Sequence, residues 1–298
     1  MVSYRLRERL FPYGLVLPTL VLILAIIIYP MLYSIDISLH KVGIAEFGDL
    51  TKARWVGLQN YLDPLLSRQF WDIIYRTSYI TVISVAGSML IGLLVALVLN
   101  QNFVGRKLVR VLILIPWVLP TLAITSTWVW IYNGNYGALN GLLYQLGLIG
   151  KYRTWLGDLN LVTYAIILVK VWKEIPFVAL ILLASLQTIP RELYEAAKID
   201  GANIWANFLH ITIPLLRPTI LVALVLQTMW TFRIFDIVYA MTQGGPANKT
   251  MVIAYWTYMQ AFKFNHYGTG AALAYIVTIF LMLLSLVYIR LISTNVEY

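Results

Sequence analysis

The 298-residue chain has no cysteine, three histidines, and a charged fraction of only 12%. Without cysteine there is no disulfide framework and no thiolate metal site. His40, His210 and His266 stand far apart with no helix-spaced second ligand, so no metal motif is recognisable. A soluble domain is nearer about 25% charged, and half that quantity cannot clothe a water-facing surface. Acids are the scarcer sign, 13 against 22 basic residues, which leaves a net charge of +9. The basic residues are scattered between apolar runs and not massed on one stretch, which argues against a nucleic-acid partner. A phosphate-binding P-loop is missing too. Gly150-Lys151 comes nearest, and Gln145 and Tyr152 break the pattern. No G-x-S-x-G appears, and no carboxylates are paired within an apolar run, so a self-contained hydrolase or intramembrane enzyme lacks its catalytic set.

Apolar sequence is what the chain has in quantity: 60% hydrophobic residues and a mean hydropathy of +0.78. A bilayer core about 30 Å thick needs roughly 20 apolar residues in helical form. Six stretches qualify: Leu15–Ile37, Thr77–Leu99, Leu108–Ile131, Leu161–Leu186, Leu215–Tyr239 and Thr269–Ile292. They are apolar on all sides and lack the strict alternation of a membrane β-barrel. The expected fold is an all-α polytopic membrane protein with six transmembrane helices, residues 1–298 forming one transmembrane domain. Arg5, Arg7 and Arg9 precede the first run as in a signal peptide, yet the run is too long and lacks a small-x-small cleavage site. It therefore reads as a retained helix. Those arginines, with Arg106, Lys107 and Arg110 around the short second loop, place both termini in the cytoplasm. Loops near 38–76, 132–160 and 240–268 are then external, and those near 100–107 and 187–214 internal.

The second internal loop is amphipathic. Thr188 is a candidate cap, Pro190 suits a first turn, and Gly201 ends a helix over about 190–201. Arg191 and Glu195, and Tyr194 and Lys198, are four apart and can pair along its surface. Ala196 and Ala197 leave room for another surface. The segment reads either as a solvated connecting helix or as a docking element for a cytosolic partner.

Glu195-Ala196-Ala197, then Gly201, Ile211 and Pro214, resembles the EAA loop of ABC importer permeases, in the carbohydrate-uptake branch of maltose/glycerol-phosphate type. The wider stretch from Ile189 to Ala202 fits that branch, with Ile213 where leucine is usual. Trp55-Val56-Gly57-Leu58-Gln59-Asn60-Tyr61 resembles its first external loop. Trp130, Asn133, Gly137 and Asn140 are similar in spacing to its second, and Thr242-Gln243-Gly244-Gly245-Pro246 with Thr250 to its third. The resemblance implies a subunit in the cytoplasmic membrane of a prokaryote. Its implied partners are a second homologous permease, two ATPase subunits, an extracytoplasmic solute-binding protein and a sugar-like solute. ATP and Mg would act on the ATPases, with no cofactor in this chain. Glu195, Ala196, Ala197, Asp200 and Gly201 would couple to the ATPase. Transport would follow from rocking of the permease pair.

Charges inside lipid are costly, about 2.5–3.5 kcal/mol each on insertion scales, and are functional candidates by default. Here they are Lys170, Lys173 and Glu174 in the fourth run, and Arg233 and Asp236 in the fifth. The resemblance carries the sugar-contacting positions onto Lys170, Lys173, Glu174 and Phe177, and onto Gln227, Trp230, Thr231 and Ile234. Flat faces of Trp230 and Phe177 suit pyranose C–H groups, while the polar side chains suit hydroxyls. Two other readings stay open. Lys170/Glu174 and Arg233/Asp236 are pairs that neutralise themselves at a subunit seam, or the ion-coupling groups of a secondary transporter. Pro176 is expected to break its helix beside these side chains, or only to kink it. Trp128, Trp130, Tyr132 and Tyr136 are expected to anchor the outer interface, and Asn140 to cap a short helix ended by Gly147.

Overall fold

A computed structural model describes residues 13 and 15–292. Arg5, Arg7 and Arg9 lie outside the described residues. The chain is helical almost throughout. In order come α1 (Leu15–Ser38), a hairpin of β1 (His40–Lys41) and β2 (Arg54–Trp55), α2 (Gln59–Leu66) and α3 (Arg68–Asn100). Then follow α4 (Arg106–Val118), α5 (Thr121–Ile131), α6 (Ala138–Gln145), α7 (Val162–Leu186) and α8 (Arg191–Ile199). The last are α9 (Ile204–Phe232), α10 (Asp236–Met241), α11 (Ile253–Tyr258) and α12 (Tyr267–Ile292).

Four helices are long and apolar enough to cross a bilayer: α1, α3, α9 and α12. The bent pair α4 and α5 raises that to five if it counts as one span. α7 has 25 residues, about 37 Å at 1.5 Å per residue, but Lys170, Lys173 and Glu174 lie at its centre.

Two of the expected straight spans are broken. The run over 108–131 bends by 92° between α4 and α5. Leu119 is extended there (φ −67°, ψ 145°), because the ring of Pro120 disfavours helical geometry in the residue before it. The run over 215–239 stops at Phe232 and resumes at Asp236, across Arg233, Ile234 and Phe235. Pro176, by contrast, leaves α7 continuous from Val162 to Leu186. The helix break sits in the fifth run and not in the fourth. In α9 a π-type turn, Phe208–Thr212, ends two residues before Pro214, whose ring and missing N–H obstruct the ordinary ladder.

The chain divides into two compact units. One holds the described residues up to Ser67 and Thr257–Val277. Its hairpin is antiparallel, with His40 opposite Trp55 and Lys41 opposite Arg54. Asn60 fastens it, donating from Nδ2 to the carbonyls of Ser38 (2.8 Å) and His40 (2.9 Å). Gly57 holds φ +58°, a region that favours glycine, and Tyr61 bonds Ser38 at 2.6 Å. A Cβ on Gly268 would fall 2.2 Å from the His40 carbonyl, so only glycine fits. The Trp55–Tyr61 motif is therefore a structural lock. α1 stays exposed along its apolar length, with Ser38 its one buried residue. Such a surface requires lipid or another chain as its solvent.

The other unit holds Arg68–Trp256 and the described part of Thr278–Tyr298. Its core is α3 against α7, joined by α9. Ala96, Leu99, Val178, Leu182, Leu183, Leu186 and Leu216 form one buried cluster. The helices approach closely because α3 offers glycine at the contact. A Cβ on Gly92 would come 2.6 Å from Val178 Cγ1.

Candidate functional site

The middle of α7 carries Lys170 and Glu174 one helical turn apart, and both are buried. Lys170 Nζ meets Glu174 Oε1 at 2.7 Å. From α9, Gln227 Nε2 donates to Glu174 Oε2 at 3.1 Å, so both carboxylate oxygens are occupied. Gln227 is fully buried, and Thr231, one turn further along α9, is nearly so. Gln227 Oε1 and Thr231 Oγ1 have no partner among the described residues. Leaving a buried acceptor or hydroxyl unmet costs about 1–3 kcal/mol, so two on one helix face are features to be explained.

Beside this network the rings of Phe177 and Trp230 meet edge to face at 4.9 Å. Trp117 of α4 stacks on Phe177 at 6.0 Å. Trp117 and Trp230 remain 40% and 42% exposed. The arrangement is a buried polar centre edged by an open aromatic surface, a combination able to grip a solute with both hydroxyls and apolar faces. Trp117 was not among the expected residues. It enters the site because α4 turns at Leu119-Pro120, and the paired prolines Pro116 and Pro120 were the available signal.

The remaining expected residues divide. Lys173 is half-buried and forms no ion pair among the described residues, while Ile234 is buried. Arg233 and Asp236 do not pair with each other, contrary to expectation. The helix break separates them. Arg233 follows the C-terminal end of α9, where the helix dipole favours a cation, and Asp236 opens α10, where it favours an anion. Both are exposed.

The amphipathic segment forms α8, Arg191–Ile199, without a buried residue. Thr188 does not cap it, since its hydroxyl bonds the Ser185 carbonyl instead (2.8 Å) and Pro190 holds the cap position. Gly201 ends it at φ +80°, with Ala202 N donating to Ala197 O at 2.8 Å. Neither surface pair forms: Arg191 and Glu195 make no ion pair among the described residues, and the Tyr194 hydroxyl bonds Thr212 at 3.0 Å. Glu195, Ala196, Ile199 and Asp200 all face outward.

The other two loop motifs are also locks. Asn140 does not cap α6. It is fully buried inside it, donating to the carbonyls of Asn133 (3.1 Å) and Arg153 (2.9 Å). It also accepts from Arg153 N (3.1 Å) and Trp155 Nε1 (2.9 Å). Gly147 does end that helix, at φ +69°. Trp130 and Tyr136 are exposed, as anchors would be, whereas Trp128 packs on Trp172 (5.5 Å) and Tyr132 is buried. In the third loop Gln243 and Gly244 have positive φ and Gly245-Pro246 is cis. Thr250 clamps the turn through Gly245 O (2.7 Å) and Thr242 (2.8 Å).

These features match known proteins along nearly the whole chain. Residues 88–294 match the family described as binding-protein-dependent transport system inner membrane component. The trehalose/maltose transport system permease protein MalF of Thermococcus litoralis is 38% identical over 284 residues, covering 95% of this chain and 94% of that one. The sulfoquinovosyl glycerol transport system permease protein SmoG of Agrobacterium fabrum is 36% identical over 290 residues, covering 97% and 92%. In fold, the chain superposes with a TM-score of 0.84 over the full length of both chains on a subunit of a bacterial ABC transporter involved in importing the acidic polysaccharide alginate, at 22% identity. Apolar helices too numerous for a soluble domain, and a family match over more than two thirds of the residues, meet in one conclusion: the chain belongs to the binding-protein-dependent transport system inner membrane components, as a multi-pass helical permease subunit of the ABC importer type.

Proposed function

We propose that this chain is the permease subunit of an ABC importer for a sugar or sugar-like solute, and that the Lys170–Glu174–Gln227 centre with its aromatic edge contacts that solute. The carrying observation is the pair of orphaned acceptors, Gln227 Oε1 and Thr231 Oγ1, beside exposed Trp117 and Trp230. Hydroxyls would satisfy the first, and pyranose C–H faces would stack on the second. The names of the relatives, a trehalose/maltose permease and a sulfoquinovosyl glycerol permease, support the sugar class. The helix break at Arg233–Phe235 supports a wet cavity at this depth, since non-helical backbone is tolerated in a membrane only where it is buried in protein or lines water.

In this reading six spans cross the membrane, α4 with α5 making one and α7 another. Both termini are cytoplasmic. α8 is the coupling element. Its outward Glu195, Ala196 and Asp200, and the turn at Gly201, would seat in an ATPase subunit carrying ATP and Mg. A second permease would complete the pore, and an extracytoplasmic binding protein would deliver the solute. Hydrolysis would belong to the assembly and not to this chain. The orphaned acceptors and open rings favour solute contact over the self-neutralising pair. Arg233 and Asp236, unpaired and at separate helix ends, offer no ion-coupling pair for a secondary transporter.

The test is the assembled complex in liposomes, assayed for solute-stimulated ATP hydrolysis and uptake. Glu195→Arg is expected to leave membrane insertion and assembly-independent folding intact while removing stimulation. Normal stimulated hydrolysis in that variant would overturn the docking role. Uptake abolished by collapse of ion gradients at constant ATP would overturn the ATP-driven reading.

A further inference from the structure

Where α3 ends, the surface holds an open cavity of about 1060 Å³. Its lining includes Arg106, Arg110 and Arg191 together with Leu90, Leu94 and Leu97 of α3. No aspartate or glutamate contributes. The arginines have only uncharged partners. Arg106 donates to Asn102 Oδ1 at 3.0 Å, and Arg110 Nη2 to the Leu99 carbonyl at 3.1 Å. Arg110 Nε is buried with no acceptor among the described residues. Arg191 makes no ion pair there either, so three positive charges share one concavity without compensation.

The apolar lining has a direction. Leu90 and Leu94 are 66% and 62% exposed, and with Leu97 they form a ridge about 10 Å long that runs from the arginines along a membrane-crossing helix. Trp205, 72% exposed, lies on the same lining, and indole rings favour the headgroup level of a bilayer. A cationic head-end continuous with an apolar ridge is complementary to an anionic amphiphile. Arginine forks bind phosphate oxygens in pairs.

We propose that this cavity holds an anionic glycerophospholipid, its phosphate among Arg106, Arg110 and Arg191 and an acyl chain along Leu97, Leu94 and Leu90. A soluble phosphate ester would satisfy the same arginines but leave the leucine ridge uncovered, so the lipid accounts for more of the surface. The site lies apart from the Lys170–Glu174 centre and does not depend on which solute is carried.

The test uses the intact complex in nanodiscs of phosphatidylcholine, with or without phosphatidylglycerol. Native mass spectrometry reads lipid retention, and a melting curve reads stabilisation. Wild type is expected to retain phosphatidylglycerol and to melt higher with it. Arg106→Gln with Arg110→Gln is expected to weaken retention about fivefold for each arginine removed. Leu94→Gln, on an exposed position that removes no core packing, is expected to reduce lipid retention without changing the melting point in pure phosphatidylcholine. Equal retention by wild type and the arginine variant would overturn the site. So would a wild-type complex that carries no anionic lipid because a partner subunit fills the cavity. Stabilisation by inorganic phosphate as large as that by phosphatidylglycerol, unchanged in Leu94→Gln, would assign it to a soluble anion instead.

Discussion

Replacing Lys170 and Glu174 singly and together separates a structural ion pair from a solute site. The two side chains are 8% exposed each and meet at 2.7 Å. Glu174→Met leaves the Lys170 ammonium buried without its anion, and Lys170→Met does the reverse. Breaking a buried pair from one side costs about 3–5 kcal/mol, because the survivor must stay desolvated or give up its charge. The double variant removes both charges and fills the space with side chains of similar volume, which is often neutral. Here it also strips Gln227 Nε2 of its acceptor, a loss of about 1–3 kcal/mol. The double variant is thus expected to be more stable than Lys170→Met by roughly 2 kcal/mol, and more stable than Glu174→Met, which also strips Gln227, by about 3–5 kcal/mol. Denaturant or thermal unfolding of the solubilised chain measures that order. Uptake by the assembled complex is the second reading, and the two need not agree. A stable double variant that no longer transports supports solute contact, and one that transports normally reduces the pair to self-neutralisation. Additive losses in the double variant would refute the electrostatic reasoning itself, since independent sites add and coupled ones do not.

Asn140→Ala is expected to destabilise the second loop by about 2–6 kcal/mol, because it strands two donors, Arg153 N and Trp155 Nε1, inside the fold. Faster amide exchange over residues 133–155 is the check, and a loop unchanged in exchange would show that Asn140 is not the lock. Gly92→Ala places a methyl group 2.6 Å from Val178 Cγ1 and is expected to cost about 1–3 kcal/mol by overpacking. Adding Val178→Ala should recover part of that loss, and no recovery would mean that α3 and α7 do not touch there.

Much of the fold was legible in the sequence because its cause is compositional. Apolar runs of more than 20 residues admit no water-facing fold, and in lipid the backbone must bond to itself, which makes helices. Gly201 and Gly147 were legible for a local reason as well, since a positive φ after a helix selects glycine. The motif around Glu195 pointed to the family without needing any packing. Three-dimensional structure decided the rest. Asn140 looked like a cap, but its choice between a local amide and the distant Arg153 and Trp155 depends on what folds beside it. Thr188 looked like one too, but its hydroxyl turns back to the Ser185 carbonyl at the end of α7. Arg233 and Asp236 looked like a pair at helical spacing, and only the break at Ile234 assigns them to two helix ends. Pro176 and Pro120 are the same residue type in similar runs, yet α7 continues and α4 turns; spacing along the chain does not show whether neighbouring packing holds the helix straight. The sequence by itself determined that this chain is a helical membrane protein and to which family it belongs. Tertiary packing alone brought Gln227 to Glu174 and Trp117 to Phe177, because those contacts join helices far apart in the chain and no local pattern encodes them.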